Sequence, residues 1–287
     1  MKKILATMMA LALTIGAQAQ VETADTAQFV AVYDYECRTQ DAEGTPITDR
    51  MQVVVQVGRT VTKLMPLSAY KKMDMYEEGD IMTTYQEAFM HMPTVWTGYP
   101  NGQTTVCEFI FPHNYEGYEP TPDIAWTLTD DTLTVSGYLC QQATCKFRGV
   151  EWCVWYTEDI PSSAGPWRLR GLPGLIVKAE SEAHTFCLTE LRRERLRVGA
   201  SAGMASPITA PEQRPDVQRI KYAKLLKHRN EIFGNRQYAK NPTYYVPGLN
   251  RSINHMEVCS WGGQQYIFAN GYPLLTKAHV YQPLEME

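Results

Sequence analysis

Short stretches of alternating or β-branched residues, separated by turn residues, recur along most of this chain. The clearest covers residues 29–37 and places three aromatic side chains on one face of an extended strand. Further strands are predicted at residues 51–57, 59–64, 104–111, 124–129, 132–138, 143–147, 151–157, 175–180, 185–193, 256–261 and 265–269. Because turn residues come at short intervals, the sequence predicts a mainly β fold: an antiparallel curved sheet or open half-barrel with one or two helices packed on it.

Two tight turns and two helices are predicted between these strands. Asp130-Asp131 and Arg148-Gly149 each separate two strand-like runs, which favours a hairpin turn at both places. Residues 215–233 start with a proline and then repeat apolar residues at roughly helical spacing, so they predict a helix. A short helix is also predicted within residues 67–92.

Residues 165–176 carry two turn signals around a short aromatic and basic stretch. Pro173-Gly174 suits the two central positions of a type II turn, because proline presets φ at the first and glycine accepts a positive φ at the second. The stretch contains no nucleophile, acid–base pair or metal ligand. A structural role is therefore predicted for Gly171, Leu172, Pro173, Gly174, Leu175 and Ile176.

This six-residue motif and its flanks resemble the GLPGLI family, which are secreted proteins of unknown function from Gram-negative bacteria. The flanking similarities lie at residues 140–144, 147–149, 155–161 and 165–167, within a similar region of about residues 124–180. The resemblance implies an envelope protein that is mainly β. It implies no catalytic residue.

The N-terminus has the pattern of a secretory signal peptide over residues 1–19. Lys2 and Lys3 precede an apolar stretch that is short for a membrane span, and residues 17–19 form an A-x-A cleavage site. No cysteine follows this site directly, so a lipid anchor is not expected. The pattern predicts export to the periplasm or the outer membrane; an uncleaved anchor is the alternative.

The remaining residues, 20–287, are predicted to form a single β-rich domain, with a loop or sub-boundary at 199–215. No later segment is long and apolar enough to span a membrane. The net charge of −4 argues against a nucleic-acid partner, because such a partner requires a basic face.

The seven cysteines suggest disulfides if the chain is exported, because the periplasm is oxidising. Cys145 and Cys153 flank the predicted turn at Arg148-Gly149, so they are a candidate pair across a hairpin, although a one-residue change of register would separate them. A four-cysteine zinc site is the alternative, and the absence of a C-x2-C pair argues against it.

A methionine-rich segment at residues 65–92 offers soft ligands of the kind that suit Cu(I). No other cofactor is expected. Methionines that fill gaps in a core are the alternative explanation. The candidate copper ligands are Met73, Met75, Met90, His91 and Met92.

Four aromatic residues near the motif, Trp152, Trp155, Tyr156 and Trp167, are candidates to line a site for a small apolar ligand or a peptide. The predicted function is a non-enzymatic ligand-binding or accessory module, with an outer-membrane protein as a candidate partner. A copper-binding protein is the first alternative. A serine hydrolase is the second, because residues 199–203 match G-x-S-x-G around Ser201, but the strand and helix that such a site requires are not predicted there.

Overall fold

The structure is a computed structural model that describes residues 23–70, 92–110, 113–193, 207–209, 211, 217–234, 256–261, 264–269, 272–274 and 279–286. Within these residues the chain is mainly β, as predicted. The strands are β1 (Thr23–Thr26), β2 (Phe29–Gln40), β3 (Pro46–Val57), β4 (Thr62–Pro66), β5 (Thr94–Thr97), β6 (Gln103–Ile110), β7 (His113–Pro120), β8 (Thr127–Val135), β9 (Tyr138–Phe147), β10 (Val150–Thr157), β11 (Leu175–Glu180), β12 (His184–Arg193), β13 (Pro207–Thr209), β14 (Val217–Lys221), β15 (Met256–Trp261), β16 (Gln264–Ala269) and β17 (Tyr272–Leu274). The helices are α1 (Leu67–Tyr70) and α2 (Tyr222–Phe233).

Twelve strands form one open sheet in the order β14-β7-β6-β5-β4-β3-β2-β12-β11-β10-β9-β8. All neighbours in it are antiparallel except β14 and β7, which are parallel. The predicted open antiparallel sheet is confirmed. Two smaller sheets, β1-β13 and β15-β16-β17, complete the described strands.

The large sheet curls strongly, and this curl brings strands that are far apart in its order into contact. Glu119 in β7 and Arg148 in the turn between β9 and β10 are ion-paired at 2.6 Å. The main core lies inside this curl. It joins the inner faces of β2, β3 and β10 with buried residues of α2 and of the segment between β10 and β11.

The two longest strands, β2 and β3, pair along their whole length and show why the inner face is apolar. Tyr33, Tyr35, Val53 and Val55 are all at most 2% exposed and belong to the main core. Alternate residues of the same strands point to the other face, as strand geometry requires. There Val30, Val32 and Val54 form a second apolar cluster with Ala27, Val61 and Trp96.

The turn predicted at Asp130-Asp131 is wrong. Both residues lie inside β8, where the register with β9 shifts between Leu128 and Thr132. The chain reverses instead at Ser136-Gly137, where φ is 50° and 84°. Two successive positive φ values match the twist of a tight hairpin. The turn predicted at Arg148-Gly149 is of the same kind, with φ of 48° and 82°, and is confirmed.

The helix predicted at 215–233 starts later than expected, at Tyr222. Residues 217–221 instead form β14, which adds to the free edge of β7. Val217 and Ile220 suit a strand as well as a helix, so the available sheet edge decides between them. The short helix predicted within 67–92 corresponds to α1 in the described part of that segment.

Three predictions fall on residues that the structure does not describe: the signal peptide at 1–19, Ser201 in its G-x-S-x-G sequence, and most of the predicted boundary at 199–215. The single-domain assignment of residues 20–287 also stays a prediction. No helix within the described residues is long and apolar enough to cross a membrane.

Candidate ligand-binding site

Residues 158–174, called the connecting loop below, leave the sheet after β10 and return to it at β11. Thr157 and Leu175 are paired across these two strands, so the loop starts and ends at neighbouring positions. Inside it, Gly171 donates its N–H to the carbonyl of Ser163 at 2.9 Å, and Ile176 donates to the carbonyl of Ala164 at 3.1 Å. These bonds fold the loop back on itself.

The two glycines of the motif have different roles from those predicted. Gly171 has a φ of 99°, whereas Gly174 is not among the residues with positive φ, so the predicted type II turn at Pro173-Gly174 is wrong. Glycine is required at position 174 because there is no room for a side chain. A Cβ atom at this position would lie 2.0 Å from the carbonyl oxygen of Thr157. Only glycine allows the loop to pass this close to the end of β10.

The turn at the tip of the loop brings an arginine into the core. Leu169 donates its N–H to the carbonyl of Pro166 at 3.2 Å, and Trp167 between them has a φ of 55°, which is uncommon for a large side chain. Trp167 and Arg168 are consequently both buried, at 2% and 4% exposure.

Arg168 belongs to a buried ion cluster of two arginines and two glutamates: Arg148, Arg168, Glu119 and Glu285. Its Nη1 atom is 2.9 Å from both carboxylate oxygens of Glu285, and its Nη2 atom bonds to Glu119. Arg148 contacts the same two glutamates, at 2.6 Å and 3.4 Å. Burial would lower the pKa of Arg168, but the carboxylates of Glu285 and Glu119 raise it, so this arginine stays charged.

A cavity of about 460 Å³, called the smaller cavity below, lies beside the connecting loop. One wall is the loop itself, from Pro161 to Arg170. The other wall is formed by strand ends and turns, including Phe29, Val57, Thr97 and Thr121.

The lining of the smaller cavity is unusual in its charge. It includes three arginines and no aspartate or glutamate, although the whole chain has a net charge of −4. Six of the lining residues carry a hydroxyl group: Thr60, Thr62, Thr97, Thr121, Ser162 and Ser163. The arginines are Arg59, Arg168 and Arg170.

The three arginines differ in their partners. Arg168 is neutralised by the buried ion cluster, but the side chains of Arg59 and Arg170 have no ion-pair partner among the described residues. Asp25, which does not line the cavity, accepts hydrogen bonds from the backbone and hydroxyl of Thr60 and from the backbone of Val61. Arg59 and Arg170 are therefore available to an anion.

A larger cavity of about 940 Å³ lies at the other end of β2 and β3. Its lining mixes charges, with Arg38, Glu151 and Glu182, and the guanidinium of Arg38 already donates to the carbonyls of Ser181 and Glu182. Residues 279–286, called the C-terminal segment below, form part of its wall.

His184 lies beneath the C-terminal segment and is 1% exposed. Its Nε2 atom is 3.2 Å from the carbonyl of Pro283, and its Nδ1 atom is 2.9 Å from the hydroxyl of Tyr35. A carbonyl only accepts, so Nε2 carries the proton of a neutral imidazole and Nδ1 accepts from Tyr35. Burial lowers the pKa of His184 to about 4.

The four aromatic residues predicted to line a ligand site are mostly packing residues. Trp152 and Tyr156 are 2% and 1% exposed and border neither cavity, because they face the inside of the curl with the main core. Trp155 is on the opposite face of β10 and is half-buried. Trp167 does border the smaller cavity.

The predicted disulfide between Cys145 and Cys153 is wrong in this register. Cys145 pairs with Trp152 and Cys153 pairs with Thr144, so their side chains lie on opposite faces of the hairpin. Both are free thiols. Burial raises the pKa of Cys145 to about 12, which keeps this thiol protonated.

Of the candidate copper ligands, Met73, Met75, Met90 and His91 lie outside the described residues. Met92 packs against the main core, which is the alternative role that methionine takes in a protein interior. The described residues contain no group of three or more histidine, cysteine, aspartate or glutamate side chains that could hold a metal ion.

Apart from Trp167, the residues of the smaller cavity were not identified by sequence reasoning. Arg168 and Arg170 fall inside the stretch that drew attention for its turns, but Arg59 and the threonines come from distant strands. Nothing in their local sequence distinguishes them from ordinary surface residues.

The fold and the site together define an open, curled β-sheet protein with a polar cavity beside its connecting loop. A family model described as "Protein of unknown function (Porph_ging)" matches residues 148–178, which cover β10, the connecting loop and most of β11. It carries this name rather than the GLPGLI name that the motif suggested, and it gives no activity. None of the curated proteins matches the chain.

Two solved structures of PNGF-II, in the P21 and C2 space groups, are similar to this chain. They are 15% identical to it, with TM-scores of 0.45 and 0.41. The similarity covers 71% and 68% of this chain but 33% and 32% of those chains. This chain therefore spans about a third of the length of the PNGF-II chains.

Proposed function

We propose that this protein is a non-enzymatic binding module that holds a small anionic, polar ligand in the smaller cavity. The observation that supports this is the lining, which combines arginines and hydroxyl groups and has no carboxylate. Its volume of about 460 Å³ suits a small molecule.

The arginines select the charge of the ligand. A guanidinium group binds a carboxylate or phosphate through two parallel hydrogen bonds, and Arg59 and Arg170 have no ion-pair partner within the described part of the chain. The hydroxyls of Thr60, Thr121 and Ser162 already have hydrogen-bond partners in the protein. The other three lining hydroxyls can both donate and accept hydrogen bonds, so they favour a ligand that is itself rich in hydroxyl groups. An acidic or phosphorylated sugar combines these properties.

This proposal keeps the binding role that the sequence predicts and changes the class of ligand. An apolar or peptide ligand was expected because of the aromatic residues, but Trp152 and Tyr156 are packed inside the curl and do not border a cavity. The polar residues of the smaller cavity favour an anion instead.

Calorimetric titration of the purified chain tests the proposal. D-Glucuronate and glucose 6-phosphate are the anionic probes, and D-glucose is the uncharged probe of similar shape. We expect both anions to bind at least about tenfold more tightly than glucose, because one desolvated charge-assisted hydrogen bond is worth about 1.5–3 kcal/mol. Equal affinity for glucose and glucuronate would contradict the proposal.

The double variant Arg59→Met, Arg170→Met should lose most of this preference for anions. Arg50→Met is the matched control, because Arg50 is a surface arginine whose side chain is 68% exposed and paired with Glu36 away from the cavity. We expect its affinity for the anionic probes to equal that of the wild type.

We also propose that the module acts outside the cytoplasm, without a lipid anchor and as an accessory to an outer-membrane protein. The signal-peptide pattern of residues 1–19 and the GLPGLI resemblance support this. Mass spectrometry of the exported chain should find Gln20 at its N-terminus, and a chain retained in the cytoplasm would contradict export. Copper binding stays a prediction of the methionine-rich segment.

A further inference from the structure

The smaller cavity and the C-terminal segment extend to different ends of the curled sheet but share one residue, Arg168. Phe29, at the start of β2, borders the smaller cavity, whereas Gln40, at its end, borders the larger cavity. A strand of this length spans about 35 Å. Arg168 borders the smaller cavity and also holds Glu285 of the C-terminal segment.

Arg168 also ties together the two walls of the smaller cavity. It belongs to the connecting loop, which is one wall, and it is ion-paired to Glu119 near the end of β7. Thr121, two residues beyond Glu119, belongs to the opposite wall and is hydrogen-bonded to Thr104 at 3.0 Å. The position of the Arg168 side chain therefore affects the width of the cavity.

The C-terminal segment is held to the rest of the protein by separate contacts along its length. Val280 donates its N–H to the carbonyl of Gln40 at 2.8 Å, and Thr39 donates its hydroxyl to the carbonyl of Val280. Met286 donates its N–H to the carbonyl of Arg148 at 2.9 Å. No sheet ladder includes these residues, so opening the segment breaks these bonds and exposes the buried Leu284 and Glu285 but breaks no sheet hydrogen bond.

We infer that ligand binding in the smaller cavity and docking of the C-terminal segment are energetically coupled through Arg168 and Glu285. This inference rests on the proposed function. Glu285 is a positioning residue: with the segment docked, its carboxylate holds Arg168 and thus the cavity walls in the geometry that accepts the anion. With the segment released, Arg168 loses that partner and the cavity loses its shape. Because coupling is reciprocal, the bound anion must also stabilise the docked segment.

Hydrogen–deuterium exchange of the full chain measures one direction of this coupling. The amides of Val280 and Met286 are both hydrogen-bonded, so their exchange reports opening of the segment. We expect saturating D-glucuronate to slow the exchange of these two amides about fivefold or more, which is the lower end of the range for coupling between two sites. D-Glucose at the same concentration should leave their exchange unchanged.

The variant Thr39→Val measures the other direction. It removes one hydroxyl contact to the C-terminal segment at a place that does not border the smaller cavity. We expect its affinity for D-glucuronate to fall about fivefold. Thr48→Val is the matched control, because Thr48 is an exposed threonine of β3 that borders the larger cavity and makes no hydrogen bond to the C-terminal segment. Glu285→Gln should weaken binding at least as much, if that variant folds.

The outcomes separate the two proposals. If the wild type binds D-glucuronate but the segment exchanges at the same rate with and without it, and Thr39→Val binds as well as Thr48→Val, the coupling is overturned while the proposed function stands. If the wild type binds neither glucuronate nor glucose 6-phosphate, the proposed function is overturned and the coupling with it.

Discussion

Two groups of arginines in this protein have opposite surroundings. At the end with the smaller cavity, Arg59 and Arg170 border open space, and no acid lines it. Arg148 and Arg168 are instead held by Glu119 and Glu285 inside the protein, although Arg168 also borders the smaller cavity. The same side chain therefore serves stability where carboxylates surround it and is available for recognition where they are absent.

The C-terminal segment explains much of this difference. It supplies Glu285 to the buried ion cluster and covers His184, and its His279 is paired with Asp49 at 2.7 Å. Among the described residues, no comparable segment covers the smaller cavity. The buried charges of the ion cluster are already satisfied, so a charged ligand gains most at Arg59 and Arg170.

The largest expected effect comes from Arg168→Met, which removes the central member of the buried ion cluster. It leaves Glu285, which is fully buried, without its main partner. We expect the free energy of unfolding to fall by about 3–5 kcal/mol, measured by urea denaturation. Arg50→Met, at an exposed ion pair, should change it by less than about 1 kcal/mol. Equal losses in the two variants would remove the distinction between the two kinds of arginine.

Gly174→Ala should be nearly as harmful, because the new Cβ would lie 2.0 Å from the carbonyl oxygen of Thr157 and would push the connecting loop away from β10. We expect a loss of about 3 kcal/mol by thermal or urea unfolding. Gly171→Ala is the control in the same motif. Its φ of 99° is unfavourable for alanine but its surroundings are open, so about 1 kcal/mol is expected. A smaller loss at Gly174 than at Gly171 would show that space does not determine the role of Gly174.

A pH-dependent loss of stability should arise at the C-terminal end, from His184. Its pKa of about 4 in the folded protein is below the ordinary value of 6.5, so the folded state binds fewer protons than the unfolded state. The neutral imidazole therefore contributes full stability above about pH 6.5, and this contribution is lost as the pH falls towards 4.

We measure the difference in unfolding free energy between wild type and His184→Gln at pH 7 and at pH 4. Because each unit of pKa shift represents about 1.4 kcal/mol, we expect this difference to be about 3 kcal/mol smaller at pH 4. His113→Gln is the control, since His113 is exposed. Parallel pH profiles of wild type and His184→Gln would mean that this buried histidine does not titrate as described.

The smallest effect on stability is expected at the cavity end. Arg59→Met and Arg170→Met remove no ion pair within the described structure, so each should change the free energy of unfolding by no more than about 0.5 kcal/mol. Their effect should appear in anion affinity alone. A large loss of stability in either variant would mean that these arginines are structural, like Arg168.

Sequence reasoning was more reliable for strands than for turns and sites. Residues 175–180 and 256–261 have the predicted bounds, because an apolar run between turn residues identifies a strand locally. The turn at Asp130-Asp131 failed because acidic residues also suit an exposed edge strand with a register shift. The helix boundary at Tyr222 failed because residues 217–221 pair with an edge that local sequence does not reveal.

The aromatic residues show the limit most clearly for the site. Alternation correctly places Trp152 and Tyr156 on one face of β10 and Trp155 on the other. It does not show whether that face surrounds a ligand or the chain's own loop. The connecting loop and α2 fill the inside of the curl, so these residues pack against the protein itself.

By itself, the sequence determined the local features of this protein: alternating strands and the turn at Arg148-Gly149. These depend on φ preferences and on the two-residue period of a strand, which act between near neighbours. Only the tertiary structure decided that Gly174 is required by contact with Thr157, that Cys145 and Cys153 are on opposite faces, and that Arg59 and Arg170 share a cavity. Those facts depend on strand register, on the path of the connecting loop and on the curl of the sheet, none of which is set by neighbouring residues alone.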